Sequence, residues 1–145
     1  MPGIVVGVDG SEHSRQVLDW AVKEAGIRKT SLTVLTVWQV VGNQWTGNPE
    51  VYPADQAATE KMRQAAEEAT RKAVDAAGAS GPASVTVRAV SGIPSQELIS
   101  ASNDADLVVV GSRGGGGFAR LMLGSTSNQL ATHSTAPVVV IPIGR

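Results

Sequence analysis

The chain has 145 residues, 42% hydrophobic and 17% charged, with a formal net charge of -1 and no cysteine. This excludes disulfides, thiolate metal sites and cysteine nucleophiles, and it leaves no global electrostatic case for nucleic acid or a membrane surface. The length suits one domain with a proper core, over residues 1–145. The opening "MPGIVVGVDG" has no basic region ahead of a long apolar segment, and no apolar run approaches the ~20 residues that span a bilayer. The sequence therefore reads as a cytoplasmic soluble protein.

Five short runs rich in Val, Ile or Thr predict strands at 3–9, 31–38, 84–90, 105–111 and 136–143. The first is followed by a helical segment, 11–26, with Val17, Leu18, Ala21, Val22 and Ala25 on one stripe. Ser11 is its expected cap and Gly26 its expected stop. After the second strand, residues 39–54 are polar and turn-rich, with two glycines and two prolines. That stretch reads either as a flap at the strand ends or as a plain insertion. Residues 54–77 are rich in Ala, Glu, Lys, Arg and Gln and predict a second helix. The third strand is followed by a helix over 94–103, entered through Pro94 and carrying Leu98 and Ile99. A last short helix occupies 125–134.

Strict alternation of strands and helices predicts an α/β domain with an open five-stranded parallel sheet and helices on both faces. Runs 1, 4 and 5 are almost continuously apolar, as strands covered on both faces should be. Run 3 alternates Val85, Val87 and Ala89 with Ser84, Thr86 and Arg88, which suits an edge. The doubly wound order 3-2-1-4-5 satisfies that edge and sets strands 1 and 4 side by side. Ligands of such sheets bind beyond the carboxyl ends of the strands, where the order reverses.

Two unusual turns meet at that point. Strand 1 ends in Val8-Asp9-Gly10-Ser11, and strand 4 runs into "GSRGGGGFARLMLGSTSNQ", with five glycines between Gly111 and Gly117. Bare backbone can turn its N–H groups inward as an anion-binding nest, and Gly111 and Gly114 would let a phosphate approach closely. Gly124-Ser125-Thr126-Ser127 opens the last helix, whose N-terminus offers unsatisfied N–H groups and partial positive charge. The pair reads as a two-sided phosphate cradle, with a flexible loop and an ordinary hydroxyl cap as the alternative. The G-x-x-x-x-G-K-[S/T] loop is absent, and no G-x-G-x-x-G follows strand 1.

Asp9 has two readings: a turn residue bracing the next helix, or a contact to ribose, to a base edge or to Mg²⁺ held by phosphates. Arg113 and Arg120 are the cations near the cradle in sequence, either pairing with phosphate or solvated. His13 and His133 share no metal partners in this fold and read as structural or surface residues. Trp20, Trp38 and Trp45 read as packing residues.

Gly111-x2-Gly114-x9-Gly124-Ser125 matches the G-2x-G-9x-G-[S/T] pattern of the ATP-binding branch of the universal stress protein family. "VGVDGSEHS" resembles the first strand and turn of that family, and "APVVVIP" its last strand, so the likeness runs from about residue 3 to 142. The resemblance implies that Gly111, Gly114, Gly124 and Ser125 hold phosphates. Ser112, Arg113, Gly115 and Gly117 would complete the loop, with Thr126 donating beside Ser125. By the same resemblance Gly7 and Asp9 lie beside adenine and ribose, Val37 meets the adenine, and Val90 lines the pocket. It implies ATP, with Mg²⁺ through Asp9, and a homodimer. The apolar edge strand 5 supplies a partial reason for pairing, centred on Val138 to Ile141, since Pro142 cannot donate a ladder bond. The expected function is a nucleotide-dependent stress or signalling module. The alternatives are a slow ATPase or phosphotransferase, an empty interaction protein, or a binder of AMP, a cyclic nucleotide or another adenylate. No base is evident beside the γ-phosphate position, so at most slow hydrolysis is expected.

Overall fold

A computed structural model describes residues 3–38, 56–78, 81–82, 84–112 and 124–142. In chain order these form β1 (Ile4–Val8), α1 (Glu12–Arg28), β2 (Ser31–Trp38), α2 (Gln56–Ala76), β3 (Ser84–Ser91), α3 (Pro94–Ser102), β4 (Leu107–Gly111), α4 (Ser125–His133) and β5 (Val138–Ile141). Each predicted element is present, with ends trimmed or extended by a few residues. The 39–54 stretch, with Trp45, lies outside the described residues.

The five strands form one sheet in the order β3-β2-β1-β4-β5, the order expected from the sequence. Every pairing is parallel. Ile4 lies opposite Leu32 on one side and Leu107 on the other, and Val108 lies opposite Val138.

Successive side chains of a strand point to opposite faces, and this divides the core in two. On one face Ile4, Val6, Leu32, Val34, Leu107 and Val109 pack against Val17, Leu18, Ala21, Val22 and Ala25 of α1 and Val74 of α2. On the other, Val5, Leu35, Val108 and Val110 pack against Leu98 of α3 and Leu130 of α4. The central strands β1 and β4 are buried almost throughout. In β3 only Val87 and Ala89 are buried while Ser84, Thr86 and Arg88 face water, as an edge requires. β5 departs from the doubly covered expectation. All four of its residues are only half-buried, because the far edge has no neighbour among the described residues. Trp20 packs against the first core cluster, as expected of a packing residue.

α1 begins where the sequence places it. The Ser14 N–H donates to Ser11 Oγ at 3.2 Å, and the Ser14 hydroxyl donates back to the Ser11 carbonyl at 2.9 Å. Its end differs from the reading of Gly26 as a stop. The helix runs through Gly26 to Arg28 and closes on Lys29, which adopts the left-handed conformation (φ 55°, ψ 47°). Lys29 N–H donates to the Gly26 carbonyl at 3.2 Å and Thr30 N–H to that of Ala25 at 3.0 Å, which together form a Schellman closure. Gly26 instead admits a neighbouring backbone, since a Cβ there would lie 3.3 Å from Gly81 Cα.

α2 shows its outer face to solvent. Arg63 pairs with Glu60 at 2.5 Å and with Glu67 at 2.6 Å, and Arg71 pairs with Glu67 at 3.0 Å. The hydrogen bonds from Arg63 hold Glu60 below the ordinary carboxylate pKa, and those from Arg71 and then Arg63 do the same for Glu67. None of the described helices is long and apolar enough to cross a membrane.

Candidate functional site

Parallel strands deliver all their carboxyl ends to one edge of the sheet. There, between β1 and β4, the structure holds a cavity of about 360 Å³ lined from both faces of the sheet. From the α1 side come Asp9, His13, Ser14 and Val17. From the α3 side come Leu35, Val37, Ile93, Pro94, Ser95 and Leu98. The first residues of α4, Gly124 to Ser127, complete it, with Gly7 and Gly111 at the strand ends. The cavity thus combines an apolar wall with a few polar groups, in the size range of small-molecule sites.

The two strand-end glycines are held bare by packing. A Cβ on Gly7 would lie 2.9 Å from Leu98 Cδ1, so Gly7 lets α3 settle onto β1. A Cβ on Gly111 would lie 2.7 Å from His13 Nε2 and 3.2 Å from Val17 Cγ2. The Cβ side of Gly111 is therefore occupied by α1, and Gly111 lines the cavity.

Asp9 is exposed at the cavity wall. Its Oδ1 accepts from the Ser11 N–H at 2.9 Å, across the turn that Gly10 makes at φ 84°. The turn reading of Asp9 is what the geometry displays, and Asp9 also lines the cavity. No group of three or more His, Asp or Glu suited to a metal occurs among the described residues. A cation at Asp9 would need a ligand's own phosphates to complete its coordination.

α4 starts on Gly124 in extended conformation, with no side-chain cap. Its first N–H groups are the ones a helix leaves unsatisfied. Ser125 and Thr126, at the first two helical positions, line the cavity as well. The base of this cradle is stitched: the Gly124 N–H donates to the Ser112 carbonyl at 2.6 Å, and Ser112 N–H donates to that of Ile141 at 2.8 Å. The buried Ser127 hydroxyl bonds the Ser112 carbonyl at 3.3 Å and that of Gly124 at 3.1 Å. Residues 112 and 124 are thus one hydrogen bond apart. Arg113, Gly114, Gly115 and Gly117, with Arg120, lie outside the described residues.

Of the other expected site residues, Val37 lines the cavity. Ser112 acts through its backbone, and Val90 packs against the second core cluster without lining the cavity. Sequence reasoning missed the α3 contribution and His13. Ile93 is 47% exposed although large and apolar, and it stands just before α3 at the carboxyl end of β3. The topology rule for strand ends could have found it, since it applies to β3 as it does to β1. His13 was read as structural or surface, yet it lines the cavity with both ring nitrogens buried.

Residues 2–142 match the model of the universal stress protein family. A universal stress protein of Mycolicibacterium smegmatis is 34% identical over 139 residues, which cover 96% of this chain and 47% of that protein. One from Mycobacterium tuberculosis is 36% identical over 141 residues, covering 96% and 47%. The chain spans about half the length of these curated relatives. Among solved structures, UspA from Lactobacillus plantarum superposes with a TM-score of 0.80 at 23% identity, covering 97% of both chains. A universal stress protein in complex with cAMP gives 0.68 at 27% identity, covering 97% of this chain and 96% of its own.

Proposed function

This chain belongs to the universal stress protein family, and from that premise we propose that its cavity binds an adenine nucleotide, ATP in the first instance. The observation that carries the reading is the cavity at the switch point, where the uncapped N-terminus of α4 meets an apolar wall. A helix start with Ser125 and Thr126 suits phosphates. Val37, Ile93 and Leu98 suit a flat, apolar base. The spaced glycines of the motif support ATP as the ligand, and Asp9 would then contact ribose or a Mg²⁺ carried on the phosphates. Arg113, Gly114, Gly115 and Gly117 are proposed to close over the phosphates.

The protein acts in this reading as a binding module whose nucleotide occupancy reports a stress or energy state in the cytoplasm. Two copies pair through Val138 to Ile141, a half-buried edge with no further strand beside it among the described residues. Slow hydrolysis at most is proposed, with Asp9 and His13 as the acid–base side chains among the described residues of the cavity. Multiple turnover above ~1 per second would place it among enzymes instead.

A second reading, a cyclic nucleotide or a monophosphate as the ligand, is favoured by the relative solved with cAMP. One experiment separates the two. Purified protein is denatured and the released nucleotide identified by mass spectrometry, with calorimetric titration of ATP, AMP and cAMP alongside. ATP released, or bound most tightly, supports the first reading, and AMP or cAMP the second. No binding of any of the three refutes both.

A further inference from the structure

His13 is the one lining residue whose polar atoms the site leaves without an explanation. Its Nδ1 and Nε2 are both buried, and neither has a hydrogen-bond partner among the described residues. A neutral imidazole carries one donor and one acceptor, and burying them unpaired costs folding free energy that a leucine of similar size would not. The ring is also held in place. It stands against the bare Cα of Gly111, where any Cβ would meet Nε2 at 2.7 Å and Cδ2 at 2.9 Å. One turn along α1, Val17 fills the rest of that contact. A glycine that makes room for an imidazole with no partner among the described residues puts that imidazole at the cavity wall for the occupant to use.

The occupant's chemistry follows from the lining. Among the described lining residues, His13 is the one side chain that carries nitrogen, and Asp9 is the one carboxylate. The first residues of α4 line the same cavity, and an uncapped helix N-terminus suits an anion. We infer that His13 is a ligand-binding residue that donates a ring N–H to a phosphate oxygen of the bound nucleotide. The N-terminus of α4 holds the same phosphate chain. This assignment rests on the proposed nucleotide binding and adds a side-chain contact to it. It also gives Gly111 a specific role, as the seat of the imidazole.

Calorimetric titration of the wild type, His13→Leu and His13→Gln with ATP and with adenosine tests the inference, with circular dichroism to verify folding. Adenosine lacks phosphate and serves as the internal control. His13→Leu is expected to weaken ATP binding at least tenfold and His13→Gln less, since its amide keeps a donor, while adenosine affinity stays within twofold in both. The ring ¹⁵N signals give a second readout, because the chain has only two histidines. ATP should move the His13 signals and adenosine should not, with the exposed His133 as reference. Unchanged ATP affinity in a folded His13→Leu overturns the inference and leaves nucleotide binding standing. An equal loss for ATP and adenosine overturns the phosphate contact in the same way. A wild type that binds neither compound removes the nucleotide reading, and this one falls with it.

Discussion

Replacing Ile93 with serine should separate ligand affinity from stability. Ile93 occupies the position just before α3, with extended backbone (φ -102°, ψ 120°) and no side-chain cap. It is 47% exposed at the cavity wall. Full burial of an isoleucine side chain stabilises by about 1.5–3 kcal/mol, so an occupant that covers the exposed half gains about 0.7–1.4 kcal/mol from it. Ile93→Ser should therefore weaken ATP and adenosine binding alike by about threefold to tenfold. The half already buried is worth a similar amount to the fold. A serine at this position supplies the missing cap, worth ~0.5–2 kcal/mol, so the two changes nearly cancel. Urea unfolding should accordingly give a midpoint close to that of the wild type. The assay is titration calorimetry beside the unfolding curve. Nucleotide affinity unchanged in a variant of unchanged stability would refute Ile93 as part of the base-binding wall. An isoleucine where a helix would take serine is the kind of local mismatch that a functional surface explains.

Other substitutions test the cradle and the frame. On the proposed function, Gly124→Leu, at the start of α4, and Gly114→Asp, which adds a negative charge to the motif, should each abolish ATP binding measured by calorimetry. Their circular dichroism spectra should stay native, and full ATP affinity in both would contradict the phosphate assignment. Lys29→Gly removes a left-handed lysine at the end of α1. It should stabilise the fold by about 0.5–1 kcal/mol, a rise of about 1–4 °C in Tm by calorimetric scan. Glu60 and Glu67 have folded pKa values below the ordinary 4.5. Their contribution is present above that value and lost as the pH falls through the lowered one. The stability difference between wild type and Arg63→Ala should thus shrink in urea titrations carried below about pH 4.5.

What the sequence determined by itself is what depends on local pattern. Run composition and the alternation in "SVTVRAV" were enough to predict the parallel sheet, its edge at β3 and the order of its strands. Cap chemistry marked Ser11 as the start of α1. The spaced glycines and Asp9 pointed to the carboxyl edge between β1 and β4, and Gly7, Asp9, Val37, Gly111, Gly124, Ser125 and Thr126 do converge on one cavity there.

Only the tertiary structure decided what distant segments do to one another. Gly26 looked like a stop because glycine ends helices, but the constraint on it comes from Gly81, more than fifty residues away. Gly111 read as an opening for phosphate, and its Cβ side also seats His13 and Val17, a contact that no local pattern shows. Ile93 gave no signal in sequence because an apolar residue beside a proline is ordinary, and Leu98 read only as an apolar residue of the helix. They matter because parallel pairing carries the end of β3 to the same edge as the end of β1. The burial of both His13 nitrogens likewise depends on α1, β4 and the cavity meeting, and a histidine early in a helix carries no local trace of such a meeting.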